Sequence, residues 1–361
     1  MKYQDEYRDP ELAERIVSAI NNKSRTPVRF MEVCGTHTVA IFRSGLKELL
    51  RETITLISGP GCPVCVTSPQ DIDRAIKLCR EPDVTVATFG DLMRVPGSES
   101  SLHQEKARGA DVRMVYASMD ALELARKHQD RRIVMIGIGF ETTVPTIAAA
   151  VYQAQQEGLD NFLVFSAHKL LPPALDALLA GEEVRIDGFI CPGHVTTIIG
   201  TEPYQEVVDR YGKPCAISGF EPVDILQSIY MLVSQIEEQR CEVEIQYARA
   251  VHSEGNPKAR QLMEEVFEPT DGVWRGLGSL PQSGLKLRGK YRTHAAESHY
   301  DLTVPPADEM PGCRCGEVLR GVLAPPQCAL FRKSCTPTNP YGPCMVSTEG
   351  TCAAYFKYHL E

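Results

Sequence analysis

Short apolar runs alternate with amphipathic stretches along most of this chain, and each run ends in small, polar or sulfur-bearing residues. Residues 28–33 form one such run and lead into Cys34-Gly-Thr-His37, after which Val39, Ile41, Phe42, Leu46, Leu49 and Leu50 recur at helical spacing. Leu56 and Ile57 close a second run before Gly59-Pro-Gly-Cys62-Pro-Val-Cys65. Ser68-Pro-Gln-Asp71 then offers an N-cap, a proline at the first helical position and a capping-box acid. The same grammar returns at 84–89 before Gly90-Asp91, at 113–116 before Ala117-Ser118, and at 133–138 before Gly139-Phe-Glu141-Thr-Thr143. It continues at 162–165 before Ser166-Ala-His168, at 188–190 before Cys191-Pro-Gly-His194, and at 216–217 before Ser218-Gly-Phe-Glu221-Pro222.

Apolar strands alternating with helices favour parallel sheets covered on both faces, and such sheets bind ligands beyond the carboxyl ends of their strands. The unusual polar residues all fall at those ends. The pattern predicts an α/β fold with two similar parallel-sheet lobes facing a cleft, lobe I over 25–143 and lobe II over 144–235. After a helix near 222–240 and another near 259–267 the texture turns Gly- and Pro-rich, so 236–361 reads as a third domain of helices and loops, with 1–24 packing on it.

A length of 361 residues suits two or three domains. The net charge of −9, with no long basic run, argues against a nucleic-acid partner. The N-terminal stretch 1–15 is charged and helix-like, and no run approaches the length that spans a bilayer, so a cytoplasmic protein without a membrane partner is expected. Thirteen cysteines in a reducing compartment are poor candidates for a disulfide framework, which turns attention to metal and redox chemistry.

Cys62 and Cys65 sit on a strand-to-helix turn, where the helix end is expected to lower thiol pKa values and make redox nucleophiles or soft metal ligands. Cys34 with His37 reads either as a nucleophile and its base or as a third thiolate beside Cys62 and Cys65 at a soft-metal site. Glu141, His168, His194 and Glu221 occupy equivalent strand ends and are candidates to ring that site. Gly137-Ile-Gly139 lacks the third glycine of a dinucleotide fingerprint, and no phosphate-binding Gly-rich Lys-Ser/Thr loop is present. Cys79, Cys191, Cys215 and Cys241 stand alone, as buried cysteines acting as small hydrophobes do.

Cys313, Cys315, Cys328, Cys335, Cys344 and Cys352 crowd into a proline-rich stretch without the paired spacing of a zinc ribbon. An iron-sulfur cluster, which takes four thiolates and tolerates irregular connections, fits better than zinc. Two cysteines are then left over and are candidates for a disulfide; spacing does not say which four bind.

Taken together, Cys34-Gly-Thr-His37, Gly59-Pro-Gly-Cys-Pro-Val-Cys65, Gly139-Phe-Glu-Thr-Thr143, Pro192-Gly-His-Val195 and the terminal cysteine pattern resemble the hydrogenase maturation factor HypD family almost end to end. The likeness is strongest over 312–358. It implies a scaffold for assembling the Fe(CN)2CO group of [NiFe]-hydrogenases, held with the partner HypC, supplied with cyanide by HypE, and passed on to the hydrogenase large subunit through HypC. By resemblance Cys34 and Cys65 are the leading iron thiols, with Cys62 as ligand or redox partner and His37 and Glu141 in support. A [4Fe-4S] cluster falls on Cys313, Cys328, Cys335 and Cys352, and Cys315 with Cys344 resembles the family's cluster-adjacent disulfide, passing electrons to Cys62 and Cys65. The alternative is a disulfide oxidoreductase similar to ferredoxin-thioredoxin reductases, using the same cysteines without the iron; a zinc-stabilised interaction protein is a third reading.

Overall fold

The computed structural model describes residues 5–181 and 183–359; of the expected N-terminal helix-like stretch, residues 1–4 lie outside it. Each of the eight apolar runs falls on a strand: β1 (Val28–Glu32), β2 (Ile54–Ser58), β3 (Val84–Thr88), β4 (Val112–Met114), β5 (Arg132–Gly137), β6 (Phe162–Ser166), β7 (Gly188–Pro192) and β8 (Cys215–Ser218). A short β9 (Val243–Ile245) follows, and β10 (Phe267–Trp274) and β11 (Gly278–Leu287) form an antiparallel hairpin.

Two parallel sheets result, in the orders β2-β1-β7-β8-β9 and β4-β3-β5-β6. The α/β expectation of two parallel-sheet lobes therefore holds, but the boundary expected at 143/144 does not. It falls between β5 and β6, which are neighbours in one sheet. The four-stranded sheet is continuous in sequence, whereas the five-stranded sheet is assembled from both sides of it, because β1 pairs with β7 and not with β3.

Alternation along the strands explains the layers. In β5, Ile133 and Met135 pack into one apolar cluster and Val134 and Ile136 into another on the opposite face. In β1, Val28 and Phe30 face a cluster containing Ile41, Ile225 and Ile229, while Met31 faces one that contains Cys62, Cys65, Cys315 and Cys344. The N-terminal helix Pro10–Lys23, capped by Asp9, buries Ile20 in that first cluster and packs on helix Pro222–Glu237. The expectation that 1–24 packs on the cysteine-rich domain is thus corrected: the helix's apolar stripe matches the outer face of the five-stranded sheet.

The stretch 236–361 is likewise not one domain. β9 belongs to the five-stranded sheet, and the hairpin packs Phe267, Leu285 and Leu287 against the four-stranded one. Trp274, fully buried on the hairpin, donates from Nε1 to Ser283 Oγ at 2.9 Å and stacks on Phe140 with ring centroids 6.0 Å apart.

Candidate functional site

In the five-stranded sheet the strand order reverses between β1 and β7, and the crevice beyond that switch point is where open parallel sheets place ligands. Cys34 follows β1 there, and Pro192-Gly193-His194 ends β7. The Cys34 loop is stitched to the Cys62 loop by the backbone: Gly35 N–H donates to Gly61 O at 2.9 Å, and Gly59 N–H donates to Glu32 O at 2.8 Å. A Cβ built on Gly61 would lie 2.1 Å from Cys34 N, so a side chain there would force the two loops apart. Cys62 and Cys65 are joined in a disulfide with Cα atoms 5.2 Å apart, and Cys65 N–H donates to Cys62 Sγ at 3.2 Å. The structure therefore brings the loops of all three expected thiols together.

Cys34 occupies the N-cap position of helix Gly35–Arg43, where a helix end favours thiolate, yet its pKa is not lowered. Burial, together with the carboxylates of Glu349 and Glu32, pushes this part-buried thiol up to about 12, outweighing the backbone N–H groups of His37 and Thr36. A coordinated cation reverses that balance, since thiolate ligation releases the proton. Glu349 Oε1 accepts from Thr36 Oγ1 at 2.6 Å, so the C-terminal segment reaches this loop directly.

The six C-terminal cysteines line a single cavity closed by Val318, Leu330, Phe331 and Met345. Cys315 Sγ and Cys344 Sγ lie 2.9 Å apart. The hydrogen bond between them lowers the pKa of Cys315, helped by buried Arg275, and raises that of Cys344. Gly342 faces the cavity, where a Cβ would meet Cys313 Sγ at 2.8 Å, and Tyr341 N–H donates to Cys335 Sγ at 3.5 Å. Among the described residues no three His, Cys, Asp or Glu side chains converge as they would on one ion. Cluster thiolates each bind a different iron and stand farther apart, and an apolar cavity ringed by cysteine sulfurs and approached by a backbone N–H is the donor set that suits a cluster.

The two thiol groups are neighbours. Helix Pro63–Val66, which carries Cys65, packs against both helix Cys315–Leu319 and helix Pro343–Val346. Arg275, which sequence reasoning missed, pins that junction: its N–H donates to Val66 O at 2.8 Å and its Nε to Thr67 O at 3.2 Å. An arginine in a Gly-rich stretch carries no sequence signal of such burial.

The supporting polar residues divide. His37 is buried, with Nε2 2.9 Å from Gly219 O, its ring stacked on Phe220 and Nδ1 without a partner among the described residues; burial lowers its pKa to about 4. Phe220 also stacks on His194. Glu141 follows β5 in the other sheet, accepts from Leu171 N–H at 2.9 Å through Oε1, and leaves Oε2 unpartnered among the described residues. The four strand-end residues do not ring one site: His168 opens onto a separate cavity, and Glu221 pairs with Arg8 at 2.8 Å.

Burial raises the Glu141 carboxyl to about 7. A carboxyl with a raised folded-state pKa binds more protons folded than unfolded, so its contribution to stability declines as pH rises from about 4.5 to about 7. Glu141→Gln is expected to remove that slope and to exceed wild type by roughly 3 kcal/mol at neutral pH. Parallel denaturant titrations of the two proteins across that range check this, and identical slopes would rule it out.

A family model for HypD, described as the hydrogenase formation hypA family, matches residues 11–359. The chain is 48% identical to hydrogenase maturation factor HypD2 of Bradyrhizobium diazoefficiens over 99% of its own length and 97% of that protein's. It is 46% identical to HypD of Rhodobacter capsulatus, over 99% and 98% of the two chains, and 44% identical to HypD of Escherichia coli, over 100% and 99%.

Proposed function

Because this chain belongs to the HypD family and so serves hydrogenase maturation, we propose that it is the scaffold on which the Fe(CN)2CO group is built before transfer to the hydrogenase large subunit. The iron cargo is held by Cys34 and Cys65, with Cys62 as ligand or redox partner. Thiolates keep the iron electron-rich enough to back-donate into cyanide and carbon monoxide. HypC covers the cleft edge formed by the Cys34 and Cys62 loops, and HypE supplies cyanide.

While Cys62 and Cys65 are bonded to each other they offer no thiolate, so loading starts by opening that bond. A thiolate of the Cys315 and Cys344 pair attacks one sulfur of the Cys62–Cys65 bond and forms a mixed disulfide. Its partner displaces that bond, leaving two thiols at Cys62 and Cys65 and a disulfide at Cys315 and Cys344, so two electrons have moved. Cys313, Cys328, Cys335 and Cys352 would hold a [4Fe-4S] cluster, which would relay, one at a time, the two electrons from an external reductant needed to return Cys315 and Cys344 to thiols.

The observation that carries this reading is the packing of helix Pro63–Val66 against the two helices bearing Cys315 and Cys344. An infrared spectrum of the protein purified anaerobically with its partners is expected to show cyanide and carbonyl stretching bands. Their absence from a preparation that still reduces protein disulfides would instead select the disulfide oxidoreductase.

A further inference from the structure

A second cavity, of about 570 Å³, lies beyond the carboxyl end of β6 and beneath the β10–β11 hairpin, and the thiol chemistry makes no use of it. Its floor carries Asp71, His168 and Lys169, which are 8%, 1% and 3% exposed. A charged lysine that deep is retained where it has partners. Lys169 Nζ donates to Asp71 Oδ2 at 3.2 Å, and Arg74 donates to Asp71 Oδ1 at 3.1 Å. Asp71 was expected as a capping-box acid, but only the Ser68 half of that box forms, at 3.1 Å, because the Asp71 carboxylate is drawn into the cavity.

Both oxygens of Asp71 are thereby taken, while the floor keeps donors to spare. An ammonium has three hydrogens and a guanidinium five. His168 Nδ1 lies 2.9 Å from Ser166 Oγ, and its Nε2 is buried with no partner among the described residues. Two of the acids nearer the mouth are engaged: Glu268 pairs with Lys286 at 3.2 Å, and Asp271 accepts from Gln282 N–H at 3.1 Å. Glu297 and Arg292 stand exposed at the rim. The hairpin wall has a register shift between Thr270 and Gly272, an irregularity of the kind that borders ligand sites.

We infer that this cavity binds a small oxyanion, a phosphate or carboxylate group, which accepts hydrogen bonds from Lys169, Arg74 and His168 Nε2–H, with the Ser166 hydroxyl donating to Nδ1 and so fixing that tautomer. Arg292 draws the anion in at the mouth. Donors left over once each Asp71 oxygen is engaged suit an acceptor-only ligand, and charge-assisted bonds of this kind are the strong ones.

The full-length protein titrated with inorganic phosphate and, separately, with acetate at constant ionic strength provides the test, followed by calorimetry and by the imidazole resonances of His168. Saturable binding that shifts the His168 signals is expected from at least one anion; phosphate alone assigns a phosphoryl ligand and acetate alone a carboxylate. Lys169→Met is expected to weaken binding roughly tenfold or more, and Arg292→Gln, which leaves the floor intact, about threefold. Saturation by neither anion, or affinity unchanged in both variants, would overturn the assignment. The infrared bands of the cargo do not depend on either outcome.

Discussion

Replacing Cys34 by serine is expected to abolish the infrared bands of the iron cargo even under strong reductant, and hydrogenase maturation with them. Serine fills nearly the same space, so the fold should persist, held by the Gly35 to Gly61 bond and by Thr36 on Glu349. The loss is then of a soft ligand that an alkoxide does not replace. Cys62→Ser should behave differently. It frees Cys65 from its disulfide, so some iron should remain on Cys34 and Cys65 without prior reduction. Full bands in the Cys34→Ser protein would refute the assignment of that thiol.

Changing Cys313, Cys328, Cys335 or Cys352 to alanine is expected to bleach the visible absorption and loosen the C-terminal region, with a loss on the order of 4–5 kcal/mol, as follows removal of a structural metal group. The reason lies in the make-up of residues 313–359. Helices there are short, and the local apolar cluster is small, with Phe331, Met345 and cysteine side chains at its centre. On the proposed reading, sulfur ligation stands in for a core. Cys315→Ala should keep its iron, because Cys315 faces Cys344 at 2.9 Å. If Cys315→Ala loses iron while Cys313→Ala retains it, the ligand set is wrong.

The strand ends were readable because burial on both faces leaves continuous apolar runs, and each run stops where the backbone must turn. That grammar placed Cys34, Cys62, Cys65, His37 and Glu141 at or just beyond strand ends. It did not locate the pairing of β1 with β7, since parallel partners are joined by long connections and nothing local marks which strand will lie alongside. The hairpin escaped notice because its exposed face, its bulge and its glycines break strict alternation. The raised pKa of Cys34 was not legible either: a helix N-terminus was visible in sequence, but the burial of the thiol and the approach of Glu349, far along the chain, were not.

The interleaved topology also governs the order in which the molecule can be made. As the chain leaves the ribosome, β3 to β6 arrive consecutively and can close their sheet while synthesis continues. β1 and β2 emerge earlier, yet they wait for β7, β8 and β9. The loops bearing Cys34, Cys62 and Cys65 are thus translated among the first and enclosed among the last, and the nascent chain carries them uncovered until the C-terminal cysteines follow.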